Sequence, residues 1–252
     1  MLNMTTTLTP EQVYDKLLNE DKILTLQGRI QFTLGDVSII VKQKDVIDNL
    51  IQEWLEGWLL KRNIAFTPNV NSQMPPDLFL NADKSKDLLE VKAFNRGASP
   101  GFDIADFKAY QREIVAHPYM LHAKHIIFGY GMSDEGVVTI QDLWLKNVWD
   151  ICRSSEKWPI NVQFKNGMVH KIRPAQWFSD GQRIKYPTFK CLEHFLSAIE
   201  ETVYKNPDTR ELASSWRDDM EKSYNDFYGA SITIPRWNDI KKQYINANNG
   251  QE

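Results

Sequence analysis

Gln73-Met-Pro-Pro-Asp77-Leu-Phe-Leu80 and, thirteen residues past its aspartate, the Glu90 of Asp87-Leu-Leu-Glu90-Val-Lys92-Ala93 decide how the chain is read. The first stretch is a proline-marked turn feeding a short apolar strand. Asn81 to Lys86 reads as a polar hairpin loop, and the second stretch as the returning strand. Side chains alternate along a strand, so Glu90 and Lys92 share a face while Val91 points the other way. Two carboxylates and an ammonium then converge at the ends of neighbouring strands. Acids placed close together call for a cation, and hard oxygen ligands suit Mg²⁺, which keeps several waters of its own. A lysine beside that ion can orient or polarise an attacking water, which is the equipment of metal-assisted phosphodiester hydrolysis. The plainer alternative is a surface hairpin with a solvated Glu/Lys pair.

Pro76-Asp77 followed by Glu90-Val91-Lys92 resembles the PD-(D/E)XK signature of the nuclease superfamily that contains most type II restriction endonucleases. Leu26-Gln-Gly-Arg-Ile-Gln-Phe32, Asn49-Leu-Ile-Gln-Glu-Trp-Leu-Glu-Gly-Trp-Leu59 and Asp87-Leu-Leu-Glu-Val-Lys-Ala-Phe-Asn95 resemble restriction enzymes of the group that recognises GGNNCC. The resemblance implies an α/β protein with a mixed central sheet flanked by helices and a C-terminal helical region. It implies a Mg²⁺ site formed by Asp77, Glu90 and the Val91 carbonyl, with Lys92 positioning the water. A homodimer on a palindromic site in double-stranded DNA follows, as does a cognate DNA methyltransferase encoded nearby. Relatives in the superfamily often carry a helix glutamate ahead of the Pro-Asp motif, and Glu53 is assigned that supporting role.

The 252 residues suffice for one sizeable endonuclease domain, with an approximate catalytic core at 40–152 and recognition and helical elaborations at 153–252. With 42% hydrophobic and 25% charged residues the chain reads as globular, without a membrane-length apolar run or a signal pattern, and a cytoplasmic location is expected. Cys152 and Cys191 sit in helix-like apolar patterns and read as buried thiols. A net charge of −3 argues against indiscriminate coating of nucleic acid, yet the local field at a cleft is what governs DNA binding. Trp158 to Lys190 is basic with Asp180 as its single acid, and Glu193 to Asp226 is mostly acidic.

Thr9-Pro10-Glu11-Gln12 opens a helix to about Asn19 with a capping-box pattern. Leu24 to Val41 reads as strands turning at Gly35-Asp36, a hairpin placed at the sheet edge. Lys44 to Arg62 is the strongest helix, its apolar stripe running from Val46 through Trp54 to Leu59, with Glu53 at one border and Gln52 at the other. Helices are expected over about Asp103 to Val115 and Asp142 to Cys152, and strands over Lys124 to Met132 and Val137 to Ile140. Asn166-Gly167 is a strong hairpin signal between Ile160-Phe164 and Met168-Arg173. That polar ribbon is of a size the major groove admits. Gln163, Lys165, Lys171, Arg173, Gln182, Arg183 and Lys185 on or beside it are assigned to DNA with almost no opposing acid, the two arginines to bases and the lysines to phosphates. Asn95 and Arg96, at the end of the lysine strand, are assigned to phosphate, with a loop-stabilising role for Asn95 as the competing reading. From about Phe189 onward the chain reads as amphipathic helices.

No zinc-ligand spacing, nucleotide-cradling glycine loop or nucleophile elbow occurs. Two other functions stay open: a nuclease that recognises DNA structure, such as a junction resolvase or repair nuclease, and a DNA-binding or assembly module that has lost catalysis. Plasmid incubated with Mg²⁺ or EDTA separates them by discrete fragments, smearing or junction cutting, and retention without cleavage.

Overall fold

The computed structural model of the chain describes residues 6–71, 74–179 and 185–245, and its backbone gathers into two compact units. The first holds the residues up to Asn69 together with Pro76–Phe102 and Lys124–Lys146. It opens with α1 (Pro10–Asp15), where Thr9 and Gln12 form the expected capping box, each side chain accepting from the other's backbone amide. A π-helical turn, Lys16–Glu20, extends it. The central sheet contains β1 (Gln27–Arg29), β4 (Thr67–Pro68), β5 (Leu78–Phe79), β6 (Leu88–Asn95), β8 (Lys124–Met132) and β9 (Val137–Lys146), in the order β1-β9-β8-β6-β5-β4. Only β6 and β8 run parallel, so the sheet is mixed.

Helix α2 (Ile47–Lys61) lays Ile51, Leu55 and Leu59 into one apolar cluster with Leu78, Leu80, Leu89, Val91, Ala93, Ile126 and Phe128. Each such side chain contributes roughly 1.5–3 kcal/mol on full burial, so this packing fixes which face of β5 and β6 turns inward. Trp54, inside the expected stripe, stays 43% exposed at its margin and meets Phe128 edge-on. The segment expected at the sheet edge divides. Strand β1 takes the edge position, while β2 (Gln31–Leu34) and β3 (Val37–Ile40) form a separate two-stranded ribbon turning at Gly35.

The expected helix over Asp142 to Cys152 is corrected. Asp142 to Lys146 are the last residues of β9, paired from Gly129↔Asp142 to His125↔Lys146, and only Trp149–Ile151 makes a 3₁₀ turn. Leu143, Trp144, Leu145 and Lys146 fit either period over so short a run. Pairing with the buried strand β8 satisfies its backbone groups and decides the outcome.

The second unit comprises Val70–Pro75, Asp103–Ala123 and the chain from Asn147. Its sheet is β10-β11-β7, from β7 (Ala105–Asp106), β10 (Val162–Lys165) and β11 (Met168–Ile172). Asn166 and Gly167 both take positive φ, 53° and 79°, as a type I′ turn requires. The ribbon thus stands, with β7 as a third strand. Helix α3 (Phe107–Ala116) starts later than expected because Asp106 ends β7 and caps it, accepting from the Ala109 amide. Then come α4 (Leu192–Lys205), α5 (Trp216–Tyr228), α6 (Trp237–Ile240) and α7 (Lys242–Ile245). Glu200 on α4, 8% exposed, is satisfied by Arg217 and Arg236. Cys152 is buried but outside any helix, and half-buried Cys191 directly precedes α4. No described helix is long and apolar enough to cross a membrane.

Candidate active site

Strand β6 is buried along most of its length, as expected of a strand with neighbours on both sides, and two charged residues interrupt it. Leu89, Val91 and Ala93 face the α2 cluster, so Glu90 and Lys92 occupy the other face. On β5, Leu78 and Leu80 join that cluster and Asp77 therefore shares the face of Glu90. The antiparallel register Leu78↔Leu89 sets Asp77 opposite Glu90 one step further along.

Pro75 and Pro76 explain why β5 begins only at Leu78: neither offers an amide hydrogen to continue the ladder. The Val91 amide, left without a strand partner there, donates instead to Asp77 Oδ2 at 2.8 Å. Asn69 secures the turn from behind, its amide donating to the Asp77 carbonyl at 2.8 Å and its side chain to the Pro76 carbonyl at 2.9 Å. The sequence reading missed this anchor, for which Asn beside a Pro-Pro turn was the only signal.

Glu90 is 3% exposed, and its Oε1 lies 2.6 Å from Lys92 Nζ. Its Oε2 is buried and has no hydrogen-bond partner. Burial, and then the charge of Glu90, push the Asp77 carboxyl up to about 6, with Lys92 and the Val91 amide pulling the other way. A buried acid with one oxygen unpaired, facing a second acid that resists ionisation, is unfavourable in the bare protein and fits a hard cation. Among the described residues no cluster of three His, Cys, Asp or Glu side chains forms. The side-chain donors are therefore these two carboxylates, with room in the coordination shell for a backbone carbonyl and waters.

Asp77, Glu90, Val91 and Lys92 are brought together; Glu53 is not joined to them by any hydrogen bond or ion pair among the described residues. Glu53 is exposed on α2, whereas Glu56 is half-buried and accepts from Gln52 Nε2 at 3.3 Å. Asn95 caps its own loop, its Oδ1 accepting from the Gly97 amide at 2.9 Å, which is the loop-stabilising geometry. Arg96 pairs with Asp142 and lies over the Trp144 ring. Gly129 makes room for it, since a Cβ there would stand 2.5 Å from Arg96 Cδ.

On the second unit's sheet, the expectation that almost no acid opposes the basic residues is corrected. Arg173 pairs with Asp103, Lys171 lies 3.7 Å from Asp106 and Lys185 lies 3.7 Å from Glu156. Asp103 and Asp106 are remote in sequence and arrive only because β7 pairs with β11. Gln163 is exposed and within 3.3 Å of His170, and Lys165 is exposed. Gln182 and Arg183 lie outside the described residues.

The chain matches the model of the NgoBV restriction endonuclease family over residues 7–244. It is 60% identical to "Type II restriction enzyme NlaIV" of Neisseria lactamica over 94% of this chain and 98% of that protein. It is 57% identical to "Type II restriction enzyme NgoBV" of Neisseria gonorrhoeae over 68% of this chain and 97% of that protein. A solved structure of the NlaIV restriction endonuclease superposes with a TM-score of 0.92 at 60% identity, covering 95% of this chain and 97% of the other.

Proposed function

From the premise that the chain belongs to the NgoBV restriction endonuclease family, we propose how its residues perform metal-dependent cleavage of double-stranded DNA. The protein is a type II restriction endonuclease, a DNA-cleaving hydrolase that acts site-specifically. Enzymes of this kind generally use divalent metal, and the ion assigned here is Mg²⁺, on the hardness of the donors. The single observation that carries the assignment is the buried, partnerless Oε2 of Glu90 on the same sheet face as Asp77.

Asp77 and Glu90 would hold the ion, with the Val91 carbonyl as a further ligand. When bound, the metal supplies Lewis-acid stabilisation of charge on the phosphate and the departing 3′ oxygen. The Val91 amide fixes the Asp77 carboxylate. Lys92, tethered to Glu90, directs its ammonium at the water that attacks phosphorus in line. Breaking the P–O3′ bond leaves a 5′ phosphate and a 3′ hydroxyl. Glu53 has a subordinate role toward the outer water shell.

The assigned target is a short palindromic site, GGNNCC by the resemblance above, cut by a homodimer whose two-fold axis matches that of the DNA. Asn95, Arg96, Gln163, Lys165, Lys171, Arg173, Gln182, Arg183 and Lys185 are assigned to the DNA. A methyltransferase encoded nearby would protect the host's own sites. Plasmid carrying GGNNCC sites, incubated with Mg²⁺ or with EDTA, tests this reading. Discrete fragments mapping to those sites, and none in EDTA, are expected; smearing, or cutting confined to branched DNA, would overturn it.

A further inference from the structure

Residues 24–40 are exposed apart from half-buried Ile30 and Ile40, although the stretch is rich in large apolar side chains. In the β2–β3 ribbon the pairs Phe32↔Ile39 and Leu34↔Val37 share one face. These four side chains are 55%, 54%, 73% and 62% exposed in the same order. The other face is polar and internally ordered: Gln31 Nε2 donates to Ser38 Oγ at 2.6 Å, and Thr33 and Ser38 hydroxyls lie 2.8 Å apart. The apolar face is therefore the one without a partner in the protomer. A two-stranded hairpin is marginal in water by itself, and four large apolar side chains on one side make its exposure unfavourable.

We propose that this apolar face is a self-association surface on which the ribbon of a second copy of this chain packs antiparallel. Charge selects that occupant. The ribbon's tip carries Asp36, while its base, closed by the Val41 amide donating to the Ile30 carbonyl, is flanked by exposed Arg29, Lys42 and Lys44. Glu135, at the turn between β8 and β9, offsets part of that positive charge. Four residues per strand span roughly 13 Å, so two ribbons stacked face to face about a two-fold axis bring each acidic tip to the other's basic base. Stacking them tip to tip would oppose like charges. A stable interface takes about 20–30 residues a side. The stretch 24–40 comes close to that, and Leu24 and Leu26 within it are themselves 42% and 48% exposed.

The proposal deepens the reading above by naming the surface that joins two catalytic centres, and it rests on that reading for its purpose only. Sedimentation equilibrium of the full chain without DNA or metal tests it apart from any cleavage. The wild type is expected as a dimer at micromolar concentration. Phe32→Ser with Ile39→Ser should weaken association about a hundredfold or more, from the lost burial of two large side chains, with thermal melting close to wild type because neither residue joins the core. Asp36→Lys should also weaken it, and Asp36→Lys with Lys42→Asp should restore it. A monomeric wild type, a double-serine variant that sediments like wild type, or an Asp36→Lys effect that Lys42→Asp fails to reverse would overturn the proposal. If the plasmid assay fails while these outcomes hold, the nuclease reading falls and the surface stands.

Discussion

Asp77 resists ionisation in the bare protein, and the sign of its effect on stability follows. Its carboxyl titrates near 6 in the fold against 3.8 in the unfolded chain, so the native state holds the proton more tightly. Stability is highest below the unfolded value and declines as pH rises through the window from 3.8 to about 6. The shift corresponds to about 3 kcal/mol in favour of the neutral acid. In EDTA at pH 8, Asp77→Asn should therefore melt at a higher temperature than wild type and should flatten the loss between pH 4 and 6, while failing to cut DNA. An unchanged or lower melting temperature at pH 8 would mean that the two acids are not in conflict there. The helix glutamates give a second test at this scale. Glu53→Gln should reduce cleavage less than Asp77→Ala does and be partly offset by more metal, since Mg²⁺ retains waters in place of an outer contact. If titrating metal against Glu56→Gln reveals the larger defect, the role belongs to the half-buried residue. Asp77, Glu90 and Lys92 were legible in the sequence because a strand's two-residue period and a thirteen-residue hairpin spacing suffice to place them on one face. The acid on α2 was not, because a wheel gives the borders of a helix but not which border a sheet will cover.

At the scale of elements, the ribbon β10–β11 was legible because Asn166-Gly167 dictates its turn locally. Its electrostatics were not, since Asp103 and Asp106 reach it through β7, about sixty residues upstream in the chain. Arg173 is consequently neutralised in the free protein. Asp103→Asn should release it, raising affinity for non-specific DNA in Ca²⁺ and steepening the salt slope by about one. Arg173→Ala should cost about 1–3 kcal/mol on the specific site alone if it reads guanine. Equal losses on specific and non-specific DNA would reassign it to phosphate. The strand β9 shows the complementary limit: Asp142 to Lys146 carry no period strong enough to exclude a helix, and the choice is made by the neighbour β8. Wherever turn chemistry acted within a few residues the sequence sufficed; wherever partners arrived from a distance it did not.

For the whole molecule, the family and the mixed α/β architecture followed from one motif and its flanking stretches, and both are shown by the match over residues 7–244 and the TM-score of 0.92. The interleaving of two units was beyond that reading, because the chain leaves the first unit at Asp103 and again at Asn147, with only Lys124–Lys146 returning between. No composition shift marks those crossings. The central claim is that Asp77, Glu90 and Lys92 form one metal-dependent site, and single-turnover cleavage of a duplex carrying one GGNNCC site tests it most directly. With Mg²⁺, wild type should cut both strands, and Asp77→Ala and Lys92→Ala should lose cleavage by several orders of magnitude. In Ca²⁺ the Lys92→Ala protein should still bind that duplex as wild type does, showing an intact fold. Near wild-type cutting by the Asp77→Ala protein would contradict the account.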